Sequence, residues 1–247
     1  SAVKFMDSGK YDKVLNLLIG LSYKDSDQLI EKCYIGKYGE EKWNKIKSIE
    51  IGDTFAFGSY EQDNDEANGK EPIEWIVLDK DGGSLLLISK QILDWRKYNS
   101  SDIDVTWETC SLRKWINDGF FNSAFSQAEQ AMIMDTTVRA DKNPNYKTDP
   151  GKTTTDKVFI LSSNEVEEYS NYLNQVIPTE YAIANGCIDT IDFQICFWWL
   201  RTPGTSKDYA TGVFGDKTVR YYGYRVNNIR GGIRPALWLD LENYIFE

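Results

Sequence analysis

The chain contains no histidine. That absence excludes Ser-His-Asp and Cys-His catalysis, and any zinc site built on imidazole nitrogens. Cysteine is sparse: Cys33, Cys110, Cys187 and Cys196 include no C-x-x-C pair, so a four-thiolate zinc site would need ligands scattered along the chain. Their default role is that of small buried hydrophobes, and a Cys187–Cys196 disulfide is the alternative in an oxidising compartment. No apolar run approaches the roughly 18–20 residues that span a bilayer. LNLLIG and LLLIS are core-sized, so no direct membrane insertion is expected. The opening SAVKFMDSGKYDK has no apolar signal-peptide segment, and a start on Ser1 reads as a trimmed or processed end, which leaves location open. Basic residues are in deficit, 28 Lys+Arg against 38 Asp+Glu for a net charge of −10. Nucleic-acid binders concentrate cations to displace counterions, so this balance argues against DNA, RNA and anionic membrane surfaces as partners.

Hydrophobic residues make up 41% of the 247, an ordinary share for one large domain or a domain with an appendage. Residues 1–46 carry helical spacing: Phe5, Tyr11, Val14, Leu15, Leu17, Leu18 and Leu21, then Leu29, Ile30, Cys33 and Tyr34. SYKDS between the runs supplies a turn with Ser22 or Asp25 as cap, which predicts a helical hairpin like one tetratricopeptide unit. A single unit cannot bury its own apolar face, so it should dock on something.

From residue 51 to 247 the pattern becomes α+β. Strands are expected over 54–58, 73–79 and 84–93, with a hairpin turn at Asp81-Gly82-Gly83. The polar loop 61–70 places Asp63 and Asp65 like calcium ligands, but Ala67 and the late Gly69 break that register. Residues 111–121 read as a helix ending at Gly119, and capping boxes stand at Ser126–Glu129 and Ser162–Glu165. Residues 139–156 have no core pattern and read as a surface excursion, and KVFIL (157–161) as a buried strand. Late strands are expected at FWWLR, YATGVF, TVRYYGYRV and GIRPALWL.

Strand alternation sends Trp198 and Trp199 to opposite faces, so they form no single stacking platform. Arg201 should share the Trp199 face and find an ion-pair partner such as Asp208 or Asp216, and Arg234 should be a similar lock. Residues 218–232 are the candidate ligand face. Tyr221, Tyr222 and Tyr224 offer flat amphipathic area there, and Arg220, Arg225, Asn227, Asn228 and Arg230 offer directed donors. The competing reading buries alternate tyrosines and leaves the arginines in water. For hydrolysis, Asp94 and Glu108, beside Trp95 and Trp107, are the least arbitrary carboxylates, although loop and cap roles suit them better. No catalytic residue, metal or cofactor is assigned.

Several stretches together carry a resemblance: FAFGSYEQDND, EPIEWIVLD, TWETCSLRKWINDGFFNSAFS, DKVFILS, PTEYA, FWWLRTPG and GGIRPALWL. Residues 51–240 resemble a bacterial family of unknown function with the run WWLRSPG followed by GVRPALWL, here with Thr202 and Ile233 as departures. More distantly the layout resembles the C-type-lectin-like fold, which includes the formylglycine-generating enzymes and phage receptor-binding proteins. The resemblance implies a C-type-lectin-like α+β domain with mixed antiparallel sheets and flanking helices, preceded by the helical hairpin. It implies a non-catalytic, extracytoplasmic recognition module that binds glycan or protein through its late strands. The hairpin could then be a spacer towards a membrane tether in the full-length protein. The alternatives are an enzyme of the formylglycine-generating or glycoside-hydrolysing type, and a structural head. Formylglycine-generating enzymes use a cysteine pair for copper, whereas Cys187 and Cys196 precede FWWLR, which counts against that oxidase. Calcium lectins carry a W-N-D triplet; Trp115-Ile116-Asn117-Asp118 is off by one and helical, so calcium-dependent sugar binding is not expected.

Overall fold

The computed structural model describes residues 10–19, 26–173, 176–187, 197–215, 217–227 and 230–246. Three helices come first: α1 (Tyr11–Leu18), α2 (Ser26–Tyr38) and α3 (Glu40–Ser48). α1 and α2 share a small core of Val14, Leu15 and Cys33, the residues whose spacing predicts the pair. Phe5, Leu21 and the candidate caps Ser22 and Asp25 lie outside the described residues. Gly39, at φ +82°, breaks the helix and starts α3, whose Trp43 and Ile46 enter the main core. Trp43 stacks on Tyr34 with ring centroids 4.3 Å apart. Tyr34 and Tyr38 press on the Gly82-Gly83 turn, where an added Cβ would strike their hydroxyls. The N-terminal helices therefore dock on the strands.

The strands of the first sheet begin with β1 (Thr54–Tyr60), β2 (Glu71–Asp81) and β3 (Ser84–Ser89). β3 ends sooner than its apolar run; Ile92 beyond it makes only a bridge to Pro178. β4 (Asp94–Lys97) follows, then α4 (Ser111–Trp115). This helix does not stop at Gly119 but widens through a π-helical turn, Ile116–Phe120, into α5 (Phe121–Ala124). Asn117 in that turn accounts for its use. Its amide donates to the carbonyls of Arg113 and Val158, and its Oδ1 accepts from the N–H groups of Lys157 and Val158. α6 (Gln127–Met132) and α7 (Ser163–Glu168) open on the two expected capping boxes, and α8 (Glu180–Ala184) is capped by Thr179. Between α6 and α7 lie β5 (Thr136–Val138) and β6 (Thr154–Asp156). The late strands are β7 (Phe197–Pro203), β8 (Tyr209–Phe214), β9 (Val219–Arg225), β10 (Arg230–Ile233) and β11 (Ala236–Asp240).

The fold is α+β. One sheet has the order β1-β2-β3-β11 and a second β4-β10-β7-β8-β9, with β5-β6 as a separate ribbon. Every pairing is antiparallel except β10 with β7. The chain crosses between the sheets through residues 90–93 and again through Arg234 and Pro235. The two crossings are bonded together: Leu93 N–H donates to Ile233 at 3.0 Å and Ser89 N–H to Pro235 at 2.9 Å. β7 lies inside the second sheet, and all seven of its residues are buried. Full burial of each large apolar side chain there is worth roughly 1.5–3 kcal/mol.

Two expectations need correction. KVFIL is buried and extended, but it contributes only a bridge from Phe159 to Ala236. The 139–156 excursion is not merely surface. Asn143 is fully buried and donates to the carbonyls of Pro203 (2.8 Å) and Tyr221 (2.7 Å), while Thr148 donates to Gly204 at 2.7 Å. It is held by polar bonds to the backbone, so it shows no apolar periodicity.

Candidate functional site

Along β7 the side chains part as alternation requires. Phe197 and Trp199 meet edge to face at 4.9 Å, and Trp199 donates from Nε1 to Arg96 at 2.9 Å. Trp198 looks the other way, opposite Val213 of β8. Arg201 lies where the pairing with β8 shifts register, between Trp199 and Pro203. It reaches α7, where Glu165 takes both terminal nitrogens at 2.5 and 2.6 Å. The expected partners are thereby corrected: Asp208 faces Arg225, and Asp216 is outside the described residues. Asp141 stands 3.8 Å from Arg201 as a second anion.

The candidate ligand residues whose side chains are described separate by face. Arg220, Tyr222 and Tyr224 form one stripe along β9, at the edge of the second sheet. Tyr224 stacks on Phe197 at 4.9 Å, Arg220 sits 4.9 Å above the Phe214 ring, and the Tyr222 and Tyr224 hydroxyls are 3.1 Å apart. Tyr222 is the outermost, 45% exposed. Burial, then the Tyr222 hydroxyl, pushes the Tyr224 pKa above that of an ordinary phenol. Tyr221 points away from the stripe and donates to Glu167; burial and that carboxylate raise its pKa to about 12. Arg225 is tied to Asp208 (3.4 Å) and Asp102 (3.5 Å) and covers the Tyr209 ring. Asn227 is half-buried, and its Oδ1 has no hydrogen-bond partner among the described residues. Arg230 pairs with Lys97 through the β10 backbone; its side chain and the whole of Asn228 lie outside the described residues.

Other candidates resolve differently. Asp94 is buried and accepts from Tyr60, Trp95 N–H and Arg96 Nε, while Glu108 accepts from Lys152 N–H. They line separate hollows, so no glycosidase pair is assembled from them. Glu61, Asp63 and Glu71 each bring a carboxylate oxygen within 4.8 Å of the others, a set of hard donors that could hold a divalent cation. Internal bonds from Gln62 N–H to Glu71, and from Asp65 N–H and the Asn68 amide to Asp63, already order this loop. Cys33, Cys110 and Cys187 are buried; Cys196, the other half of the candidate disulfide, is outside the described residues.

Arg234, expected to carry an ion pair, has no carboxylate partner among the described residues. Its Nε donates to Ser89 at 2.7 Å, its guanidinium lies 5.2 Å over Trp198, and Nη1 has no partner among the described residues. The pattern in the sequence was an arginine in an apolar strand, which does not reveal whether an anion accompanies it.

A family described as a domain of unknown function, DUF6273, matches residues 82–241, well over half of the chain. The chain belongs to that family. No curated protein and no solved structure matches. No helix among the described residues is long and apolar enough to cross a membrane.

Proposed function

We propose that this protein is a non-catalytic recognition module of C-type-lectin-like architecture that binds a glycan outside the cytoplasm. The binding surface is the β9 stripe of Arg220, Tyr222 and Tyr224. The observation that supports it is the Tyr222–Tyr224 pair: two phenols with hydroxyls 3.1 Å apart, one ring on the Phe197–Phe214 stack and the other exposed. Sugars are held by a flat apolar face against an aromatic ring, with hydroxyls bonded at its edge. Here the ring is rigidly seated, so little side-chain freedom is lost on binding. The Glu61–Asp63–Glu71 loop takes no part in this stripe, so sugar binding is calcium-independent. The N-terminal helices, docked on the turn between β2 and β3, act as the module's base.

A glycan-array screen of the whole chain, in calcium and then in chelator, tests the reading. A specific glycan retained in both conditions supports it. An array blank in both conditions, with capture of a protein instead, overturns the glycan assignment.

A further inference from the structure

Arg201 in β7 and Arg234 in the crossing between the sheets are both buried, yet among the described residues only Arg201 has a counter-charge. Arg201 meets Glu165, whereas Arg234 is 1% exposed with a single hydrogen bond, from Nε to Ser89. That bond accounts for a role in joining the sheet crossings. It leaves Nη1 buried and unpartnered, and an orphaned charged donor is among the costliest groups a protein can enclose. Burial alone pushes the Arg234 pKa down, to about 9. No carboxylate among the described residues offsets it.

Arg234 also lines a cavity of about 180 Å³ under α7. The other walls are mainly apolar: Val166, Leu173, Val176, Trp198 and Val213. At ~30 Å³ per molecule such a space equals about six waters, but a water needs two to four polar partners and these walls offer few. A largely apolar cavity with one cation that has no anion among the described residues fits a ligand that is apolar over most of its surface and carries one negative end. Lys217, exposed at the cavity's margin, adds a second positive charge that favours the entry of an anion.

We propose that this cavity is a binding site for a small monocarboxylic acid with an aliphatic or aromatic body, its carboxylate pairing with the Arg234 guanidinium in the cavity wall. The Trp198 ring supports the guanidinium from one side, and the valines and Leu173 enclose the body. Tyr222 and Tyr224 take no part in the cavity, so this site stands or falls independently of the glycan surface.

The test is calorimetric titration and thermal unfolding of the whole chain with 4-methylpentanoate and benzoate, each compared with its neutral amide. The acids are expected to bind saturably and raise the melting temperature, with the amides roughly tenfold weaker or more. Val213→Phe, which fills the cavity and keeps Arg234, is expected to abolish binding, as is Arg234→Met. Should Arg234→Met fail to fold, the acid–amide comparison and Val213→Phe decide the matter. Equal binding of acid and amide, undiminished binding by folded Val213→Phe, or no saturable effect of either acid would overturn the assignment.

Discussion

Arg201 and Glu165 join the buried strand β7 to the N-terminal turn of α7 through two nitrogen–oxygen contacts of 2.5 and 2.6 Å. Glu165 also completes the capping box by accepting from Ser162 N–H at 2.9 Å. One carboxylate therefore closes a helix end and neutralises a buried cation. Arg201 has further duties, donating to the carbonyls of Ile160 (2.9 Å) and Arg139 (3.1 Å).

Arg201→Met is predicted to cost about 3–5 kcal/mol, since it leaves buried acceptors and part of a carboxylate uncompensated. Glu165→Gln should cost less, roughly 2 kcal/mol, because a neutral acceptor remains and Asp141 is 3.8 Å from the guanidinium. Urea unfolding of both variants checks the order. The reverse order would mean that the cap, and not the ion pair, carries the stabilisation.

Tyr222 and Tyr224 looked equivalent in the sequence, two tyrosines in an alternating strand. The structure separates them, for Tyr224 packs on Phe197 and Phe214 while Tyr222 only leans on Tyr224. Tyr222→Ala should change stability by no more than about 0.5 kcal/mol, and Tyr224→Ala should cost roughly 2–3 kcal/mol. Equal losses in urea unfolding would place Tyr222 in the core.

Two phenols give a pH signature. Burial raises Tyr38 and Tyr221 to about 12, the latter with help from Glu167. The folded protein then holds these protons more tightly than the unfolded chain, whose tyrosines titrate near 10. Their contribution is full below pH ~10 and is lost as pH rises through about 12. Tyr221→Phe should flatten part of that decline in stability and remove one late-titrating phenol from the ultraviolet absorbance. A Tyr221 that titrates near 10 would contradict the contact with Glu167.

Asn143→Ala should cost about 1–3 kcal/mol, because the carbonyls of Pro203 and Tyr221 lose a buried donor. Amide hydrogen exchange should quicken across residues 139–156 and leave the β1-β2-β3-β11 sheet unaffected. Unchanged exchange in the excursion would show that its polar bonds do not hold it.

The parts of the fold legible in the sequence were those governed by local rules. Short apolar runs bounded by turn residues located β1 to β3, and Ser126 and Ser162 announced their helices because a capping box is complete within four residues. What escaped was decided by contacts distant along the chain. Asn143 and Asn117 are polar residues whose partners lie 78 and 41 positions away, and no periodicity marks such bonds. Arg201 and Arg234 both sit in apolar runs of the sequence, yet among the described residues only Arg201 has an anion. The candidate site was legible as a segment. Its division into an outward stripe, a residue turned to α7 and a salt-bridged arginine required the register of β8 and β9, with its shift between Ala210 and Gly212.

The most direct measurement is the affinity, by calorimetric titration in chelator, of the strongest array glycan for the native chain and for Tyr222→Ala. Recognition through the β9 stripe requires at least a roughly tenfold weaker affinity for Tyr222→Ala, with an unfolding midpoint matching the native protein. Undiminished affinity in a folded Tyr222→Ala, or no glycan retained by the native chain at all, would contradict recognition through the β9 stripe.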